Sequence, residues 1–451
     1  MKIKDILTKD KAFYNNLIHL ALPIAAQYLV SFLITLTNSI SIGRLGKEAT
    51  AGVYIGTLIF TLLQMFITGI ESGITVTSSR SWGEGKTEKI KKIAAIGTVI
   101  SLAFGTLIST LSILFPSLFI SLFLGGEAAS GGAEYLKLLA FSFPFFCLSG
   151  ALGALMRSIE SPKVTVVSST AAFTVNLILN YALVFGKLGF SALGIRGAAI
   201  ATVSARAIEL LLILIYVFLI DKKIKLTVKS LFSFDKIISL DFVRYTTPIV
   251  LGQMVWIANT LFASYLLSKV GSDDVVAGLA VANTLNSLSY ILMNGLSGAV
   301  GIIIGKTIGE GKIEKIKGYA YTTQLIFILL GILTSCALLI AKGPFISMYK
   351  IGAEAADVAK ALISVLSITI IGTSYQSACL IGLVKSGGDV SFILKNDAFF
   401  IFLVVIPLSV LASNLNAPIW LIFLALKSDQ LLKCIPAAIK INRFGWIKKL
   451  P

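Results

Sequence analysis

Stretches of roughly 20 predominantly apolar residues follow one another along the whole chain, and hydrophobic residues make up 56% of it. A helix of that length crosses the hydrocarbon layer of a bilayer, which is about 30 Å thick. The stretches are continuously apolar, whereas the strands of a transmembrane barrel are short and alternate between apolar and polar residues. The predicted spans are residues 17–42, 50–78, 94–123, 133–157, 164–186, 194–220, 246–268, 276–304, 319–341, 356–384, 391–412 and 417–439. The sequence therefore predicts an all-α integral membrane protein with twelve transmembrane helices.

A ten-residue segment occurs twice in the chain, once in each half. Residues 83–92 read GEGKTEKIKK and residues 309–318 read GEGKIEKIKG, so that eight of ten positions are identical at a separation of 226 residues. Gly69 returns as Gly295 at the same separation, and Pro23 returns as Pro248 at nearly the same one. Internal repeats of this size are typical of transporters built from two homologous bundles with the substrate site between them.

The predicted spans divide evenly between the two halves, with six in each. Because six is an even number, both halves enter the membrane in the same orientation, and a pseudo-twofold axis along the membrane normal relates them. Two such lobes can open their common cleft to either side in turn, which is the geometry of alternating access. The predicted domains are a six-helix lobe at 1–220, a cytoplasmic linker at 221–244 and a second six-helix lobe at 245–451.

The two GEGK segments lie at the predicted cytoplasmic ends of spans two and eight, and we interpret them as structural hinges or anchors. Glycine permits the backbone to turn there, and the lysines meet lipid headgroups. Neither copy has the GxxxxGK[ST] spacing of a phosphate-binding loop or a preceding strand.

The basic residues are distributed unequally between the two sides of the predicted membrane. Of the 39 Lys and Arg residues, 28 lie in segments on one side and only seven in loops on the other. The basic side is cytoplasmic, so that both termini are expected in the cytoplasm of a cell whose inner (plasma) membrane holds the protein. The net charge of +17 is spread over short segments, which excludes a nucleic-acid footprint and favours contact with the lipid bilayer.

Several short motifs occur in order along this duplicated chain. They are Pro23 with Ser41–Gly46, Ser81–Gly85, Asn176–Asn180, Gly194–Thr202 and Ile304–Gly311. Together they resemble the MATE family of multidrug and toxic compound extrusion transporters, most closely its bacterial members. The resemblance implies a secondary active antiporter that exports organic, often cationic, drugs or metabolites in exchange for protons or sodium ions. It implies no enzymatic activity and no cofactor besides the coupling ion, and we expect a monomer.

The chain departs from the resemblance where relatives carry coupling carboxylates. Asn38 stands where relatives commonly have an aspartate in span one, and Asn176 and Asn180 replace an Asn and Asp pair of span five in one archaeal-type pattern. Together with Thr202 these residues form a neutral candidate pathway for the substrate or ion. Their oxygens can face a cation, or they can form a hydrogen-bond network that only packs the lobe.

An ionisable group at membrane depth is costly and is therefore a candidate for function. Glu71 has no basic residue within one turn of its own helix, so that it is either protonated or satisfied by another helix. We name it as the first coupling candidate, beside the alternatives of a polar residue without a coupling role and a lipid-facing position. Glu209 follows Arg206 by one turn, which indicates a compensated pair, and it is the second coupling candidate.

Two further acids lie in the second half of the chain. Asp429 is flanked by Lys427 and Lys433 and is expected to be compensated, and Asp397 is expected at the membrane interface. No metal site is predicted.

The alternative function is a flippase for lipids or lipid-linked oligosaccharides, which would need a lumen rich in Arg or Lys. Arg206 is the only basic residue that the sequence places deep in the first lobe. A membrane-embedded enzyme fits poorly, because the chain has a single histidine and no clustered acids on a loop. A channel is disfavoured as well, since the repeat gives no sign of a selectivity filter.

Overall fold

The computed structural model describes residues 7–43, 47–121, 126–270, 273–349 and 351–448, most of which are helical. The helices are α1 (Lys11–Gly43), α2 (Lys47–Gly83), α3 (Thr87–Leu114), α4 (Pro116–Ser121), α5 (Gly126–Leu139), α6 (Ser142–Ser158), α7 (Lys163–Leu179), α8 (Gly194–Ile215), α9 (Lys236–Val270), α10 (Asp273–Gly309), α11 (Ile313–Ser347), α12 (Ala353–Gln376), α13 (Val390–Phe400), α14 (Ile406–Asn414), α15 (Ile419–Leu426), α16 (Asp429–Leu432) and α17 (Cys434–Asn442).

Within the described residues, ten helical segments are long and apolar enough to cross a membrane, and a bent pair makes an eleventh. The bent pair is Ser130–Leu139 with Ser142–Ser158, at an angle of 44°, and it corresponds to predicted span four. The predicted all-helical transmembrane fold is confirmed.

The predicted twelfth span, 417–439, differs from the prediction because it is divided among the short helices α15, α16 and α17. The chain bends where polar residues interrupt the apolar run, at Lys427–Ser428 and again at Lys433. Gln376 of α12 donates hydrogen bonds to the carbonyls of Asp429 and Gln430, at 3.0 and 2.6 Å. A polar side chain from a neighbouring helix thus satisfies backbone groups at the interruption.

The chain forms two compact units whose boundaries lie inside helices α1 and α9. The amino-terminal unit is Ala26–Val250, and the carboxy-terminal unit combines the described residues up to Ala25 with those from Leu251 onward. Each boundary comes two residues after a helical proline, Pro23 or Pro248. Proline removes a backbone hydrogen bond and favours a bend, so that the helices change unit at their weakest points. The domains predicted from the sequence are two lobes of six consecutive spans each, and this division into lobes stays a prediction.

Each unit has its own apolar core. The amino-terminal core includes Ile67 and Ile74 of α2, Phe143 of α6 and, from the start of α9, Phe242. Phe242 lies inside the segment predicted as a linker, because α9 already begins at Lys236.

The carboxy-terminal unit has two apolar clusters. In one of them, Phe13 and Leu17 from the start of α1 pack with Ile303 of α10 and Phe327 of α11. The other joins α10 to α12 and α15 through residues such as Leu362 and Phe423.

The two GEGK segments fold into the same turn. Gly85 and Gly311 have φ angles of +72° and +74°, which L side chains rarely adopt. The glutamate before each glycine forms an ion pair with the lysine after it, Glu84 with Lys86 and Glu310 with Lys312. Both copies form turns whose glycines, ion pairs and helix boundaries correspond, and their interpretation as hinges or anchors stays a prediction.

Candidate functional site

The four neutral residues predicted as a pathway lie together in the amino-terminal unit. Asn180 donates from Nδ2 to Asn38 Oδ1 and to Asn176 Oδ1, at 3.0 Å in each case. Asn38 Nδ2 lies 3.4 Å from Thr202 Oγ1, which it approaches as a donor. Helices α1, α7 and α8 therefore meet through one hydrogen-bonded group of amides and a hydroxyl.

The local geometry of α7 explains how its two asparagines meet. Asn176 and Asn180 are four residues apart, which places them on one face. The α-helix ends at Leu179, and Asn180 begins a π-helical turn that runs to Val184. Such turns are rare and often occur at functional sites. Asn180 Nδ2 also donates to the carbonyl oxygen of Asn176, at 3.0 Å, so that three oxygens surround one amide nitrogen.

Two polar atoms of this group have no hydrogen-bond partner among the described residues, namely Asn176 Nδ2 and Asn180 Oδ1. Both residues are almost completely buried, at 0% and 1% exposure. A buried amide without a partner is unfavourable by about 1–3 kcal/mol. Rotation of an amide by 180° exchanges its oxygen and nitrogen, so that the group can present either an acceptor or a donor to a bound molecule. Its chemistry fits a small polar ligand or a weakly held cation.

Glu71 forms an ion pair with an arginine of another helix. Its Oε2 lies 3.0 Å from Arg157 Nη2, and Arg157 Nη1 donates to Gln27 Oε1 at 3.0 Å. The view of Glu71 as an unpaired carboxylate is therefore wrong, and the alternative of satisfaction by another helix is right. Arg157 lies 86 residues from Glu71 in the sequence, and the signal that could have identified it is its position at the end of the apolar run of span four.

The space around the Glu71 carboxylate is narrow. A β-carbon added to Gly150 of α6 would clash with Glu71 Oε1. Only glycine leaves room there for the carboxylate to approach the helix backbone. Arg157 of α6 thus contacts both Gln27 of α1 and Glu71 of α2 and joins the three helices.

The second coupling candidate, Glu209, lies in the predicted compensated pair. Arg206 Nη1 is 2.7 Å from Glu209 Oε2, and both side chains are buried. The guanidinium also lies over the rings of Phe146 and Phe60, with its central carbon 4.9 and 5.9 Å from their centroids. Cation–π contacts of this kind hold a buried arginine in place.

The Glu71–Arg157 and Glu209–Arg206 pairs of the amino-terminal unit are each neutral when both partners are ionised. Two glutamates and two arginines leave this group of four residues with no net charge when all are ionised.

Asp397 and Asp429 of the carboxy-terminal unit share a lysine. Lys433 Nζ lies 2.9 Å from Asp397 Oδ1 and 2.9 Å from Asp429 Oδ2, and its side chain is only 4% exposed. The predicted compensation of Asp429 is confirmed. Asp397 pairs with the same buried ammonium, and its expected place at the membrane interface stays a prediction.

A family model described as MatE matches the chain in two segments, residues 23–182 and 248–411. Among curated proteins, a probable multidrug resistance protein NorM of Thermotoga maritima is 24% identical over 81% of this chain and 79% of its own length. A probable NorM of Synechocystis sp. is 27% identical over 73% of this chain and 72% of its own length. The two matched segments begin at the repeated prolines, Pro23 and Pro248, in agreement with the duplication.

Solved structures share the fold at low sequence identity. An outward-facing multidrug resistance MATE family transporter of the MOP superfamily aligns with a TM-score of 0.87 at 18% identity, over 97% of this chain and 99% of its own. A MOP superfamily transporter from Pyrococcus furiosus, described as having a binding pocket of reversed polarity, aligns with a TM-score of 0.88 at 18% identity, over 98% and 99%. These alignments establish the fold.

Proposed function

The chain belongs to the MatE family of multi-pass membrane transporters, which are not enzymes, and on that premise we propose that it exports organic, often cationic, small molecules in exchange for protons or sodium ions. The curated relatives are named as probable multidrug resistance proteins, which supports a substrate class of drugs or related metabolites. The observation that carries the coupling mechanism is the partly buried Glu71–Arg157 pair in the amino-terminal unit.

Proton binding to Glu71 changes the charge of its surroundings. With Glu71 ionised, the two glutamates and two arginines sum to zero, and a proton on Glu71 leaves Arg157 without its counter-ion. These four residues then carry one excess positive charge, which repels a bound organic cation more strongly at low dielectric than in water. A proton and a cationic substrate therefore exclude each other, which is the requirement for exchange.

The same proton also breaks a mechanical connection. Arg157 holds Glu71 of α2 and Gln27 of α1 at the same time, each at 3.0 Å. A neutral carboxyl binds the guanidinium more weakly than a carboxylate does. Proton binding thus loosens α2 from α6 and from the α1 contact that Arg157 also makes, which links the chemical event to a movement of helices.

The neutral group of Asn38, Asn176, Asn180 and Thr202 has a different role in this proposal. It contains no carboxylate, and neutral oxygens alone compensate poorly for the dehydration of a sodium ion. We therefore assign it to substrate contact within the pathway and favour protons over sodium as the coupling ion.

Inside-out vesicles containing the protein provide the test. Uptake of a fluorescent organic cation should follow an imposed proton gradient and should be unaffected by a sodium gradient alone. Uptake driven only by a sodium gradient would instead assign ion coupling to the neutral group of Asn38, Asn176, Asn180 and Thr202.

Lipid scrambling without cation transport under either gradient would support the flippase alternative. The buried arginines argue against it, because Arg157 and Arg206 are already neutralised by glutamates and are not free to bind a pyrophosphate.

Orientation and assembly belong to the proposal as well. The excess of Lys and Arg on one side places both termini in the cytoplasm of a plasma-membrane protein. A monomer is sufficient for the exchange, because both ion pairs and the neutral group come from one chain. Labelling of single cysteines by an impermeant reagent tests the orientation, and light scattering of the purified protein tests the monomer.

A further inference from the structure

The start of α1 is attached to α11 within the carboxy-terminal unit. Asp10 Oδ2 accepts hydrogen bonds from Lys315 Nζ at 2.9 Å and from the Tyr319 hydroxyl at 2.7 Å. The backbone N–H of Thr8 donates to Thr322 Oγ1 at 2.9 Å. Phe13, which is 1% exposed, stacks on Tyr319 with 4.5 Å between the ring centroids. Polar and apolar contacts together fix this helix end.

The start of α9 is attached to α3 within the amino-terminal unit in a corresponding way. Asp235 Oδ2 lies 2.9 Å from Lys92 Nζ. Asp235 Oδ1 accepts hydrogen bonds from the backbone N–H groups of Ile237 and Ile238, so that the same side chain caps the helix. Phe242, about two helical turns after Asp235, lies in the core near Gly97 of α3.

The aspartates of the two attachments are related by the internal duplication, whereas their lysines stand at different positions of the repeat, Lys92 aligning with Gly318 and Lys315 with Lys89. Asp10 and Asp235 are 225 residues apart, which is also the separation of Pro23 and Pro248. Each aspartate precedes the first residue of its helix, α1 or α9, and each binds a lysine in the first turns of the helix that follows a GEGK turn.

Each of the two ion pairs joins a residue of one sequence half to a residue of the other. Asp10 of the first half binds Lys315 of the second, whereas Asp235 of the second half binds Lys92 of the first. Helices α1 and α9 then continue beyond Ala25 and Val250 into the other compact unit. Both helices are therefore tied at their starts to one unit and covalently continuous with the other. A reorientation of the units has to bend these helices, for which the prolines are suited, or release the aspartates.

We propose that the Asp10–Lys315 and Asp235–Lys92 contacts are a matched pair of latches, on the side predicted to be cytoplasmic, that favour one conformation of the transporter. The interaction free energy of each latch stabilises only the conformation in which that ion pair is formed. Two latches on the same side of the membrane stabilise the same conformation, so that their effects on its population multiply.

The latches remain charged throughout the physiological pH range. Hydrogen bonds from Lys315 and Tyr319 lower the pKa of Asp10 to about 2. The hydrogen bond from Lys92 likewise lowers the pKa of Asp235. Proton coupling at the ion pairs inside the unit therefore leaves the latches unchanged, whereas salt weakens them by screening.

The test uses substitutions that remove the charge and keep the helix cap. Asparagine caps a helix as well as aspartate does, so that Asp10→Asn and Asp235→Asn remove little besides the ion pair. The matched control is Asp357→Asn, which breaks the exposed pair of Asp357 with Lys360 at 2.9 Å.

Spin labels at Lys163 and Lys395, which are exposed and lie in different units, report the conformations as distances by pulsed electron paramagnetic resonance. The labels are placed in a cysteine-free variant, and the protein is measured in lipid nanodiscs without substrate.

Each asparagine variant should change the population ratio of the conformers about threefold, because a partly exposed ion pair contributes a factor of at most about five. The double variant should change it about tenfold in the same direction. Lys315→Met should reproduce Asp10→Asn, and combining those two should add nothing, because both remove one contact. If Asp10→Asn does not fold, Lys315→Met tests the same contact in its place.

Populations in both single variants equal to those of the Asp357→Asn control would overturn the proposal. Opposite shifts in Asp10→Asn and Asp235→Asn would overturn it as well, since matched latches act on one conformation. The readout requires no transport, so that this result and a failure of the proposed exchange are distinguishable.

Discussion

Replacement of Arg157 by methionine should destabilise the protein more than replacement of both partners of its ion pair. Arg157 Nη2 and Glu71 Oε2 are 3.0 Å apart, with side-chain exposures of only 13% and 20%. Arg157→Met leaves the Glu71 carboxylate beside Gly150 and the apolar core without a counter-ion. Removal of one partner from a buried pair typically costs about 3–5 kcal/mol.

The other two variants complete a double-mutant cycle. Glu71→Gln keeps an acceptor for Arg157, which also keeps its hydrogen bond to Gln27, so that the expected cost is smaller, about 2 kcal/mol. The double variant buries no unpaired charge and should lie within about 2 kcal/mol of the unmodified protein. The expected coupling free energy is therefore about 4 kcal/mol, which matches the Coulomb attraction of two charges about 4 Å apart at an effective dielectric constant of about 20.

The free energy of unfolding is measured by titration of the protein in mixed micelles with a denaturing detergent. Arg196→Met is the control, because its pair with Glu134 is exposed, and it should change stability by less than about 1 kcal/mol. If the double variant is destabilised by the sum of the two single changes, the pair makes no energetic contact and the reasoning about Glu71 is refuted.

Three further outcomes are expected. Asn180→Ala and Asn176→Leu should each impair transport in vesicles more than expression, because each removes a polar contact of the neutral group, and normal transport by both would reduce the group to packing. Gly85→Ala should destabilise the protein by about 1 kcal/mol because its φ is +72°, whereas Gly343→Ala, in open space within α11, should not. The pKa of Asp10 is lowered to about 2, so that its contribution to stability is complete above about pH 4 and lost as the pH falls towards 2. Asp10→Asn should therefore flatten the acid side of the stability profile, and an unchanged profile would contradict this.

The spans and the duplication could be predicted because they depend on properties local to the chain. An apolar run of sufficient length is helical in a membrane whatever its neighbours are, since its backbone groups have no other partners there. The GEGK turns were predictable for the same reason, since Gly85 and Gly311 carry the positive φ angles themselves. The interruption of the twelfth span was harder to predict, because Gln376, which satisfies backbone carbonyls there, lies on another helix.

The charge pairs were predictable only when both partners lie on one helix. Arg206 and Glu209 are separated by three residues, and their pairing follows from helical geometry. Glu71 and Arg157 are 86 residues apart, and only the packing of α2 against α6 brings them together. The packing of the first turns of α1 and α9 depends on the fold in the same way, because these turns contact helices that are distant in the sequence.

The central claim, that a proton on Glu71 and a cationic substrate exclude each other, is tested most directly by measuring protons released on substrate binding. Purified protein in weakly buffered detergent solution is titrated with tetraphenylphosphonium, and the change in pH is followed with an indicator dye. The exchange mechanism predicts close to one proton released per bound cation at a pH where Glu71 is protonated, and none in Glu71→Gln. Cation binding without proton release in the unmodified protein at any pH, or undiminished release in Glu71→Gln, would contradict the mechanism.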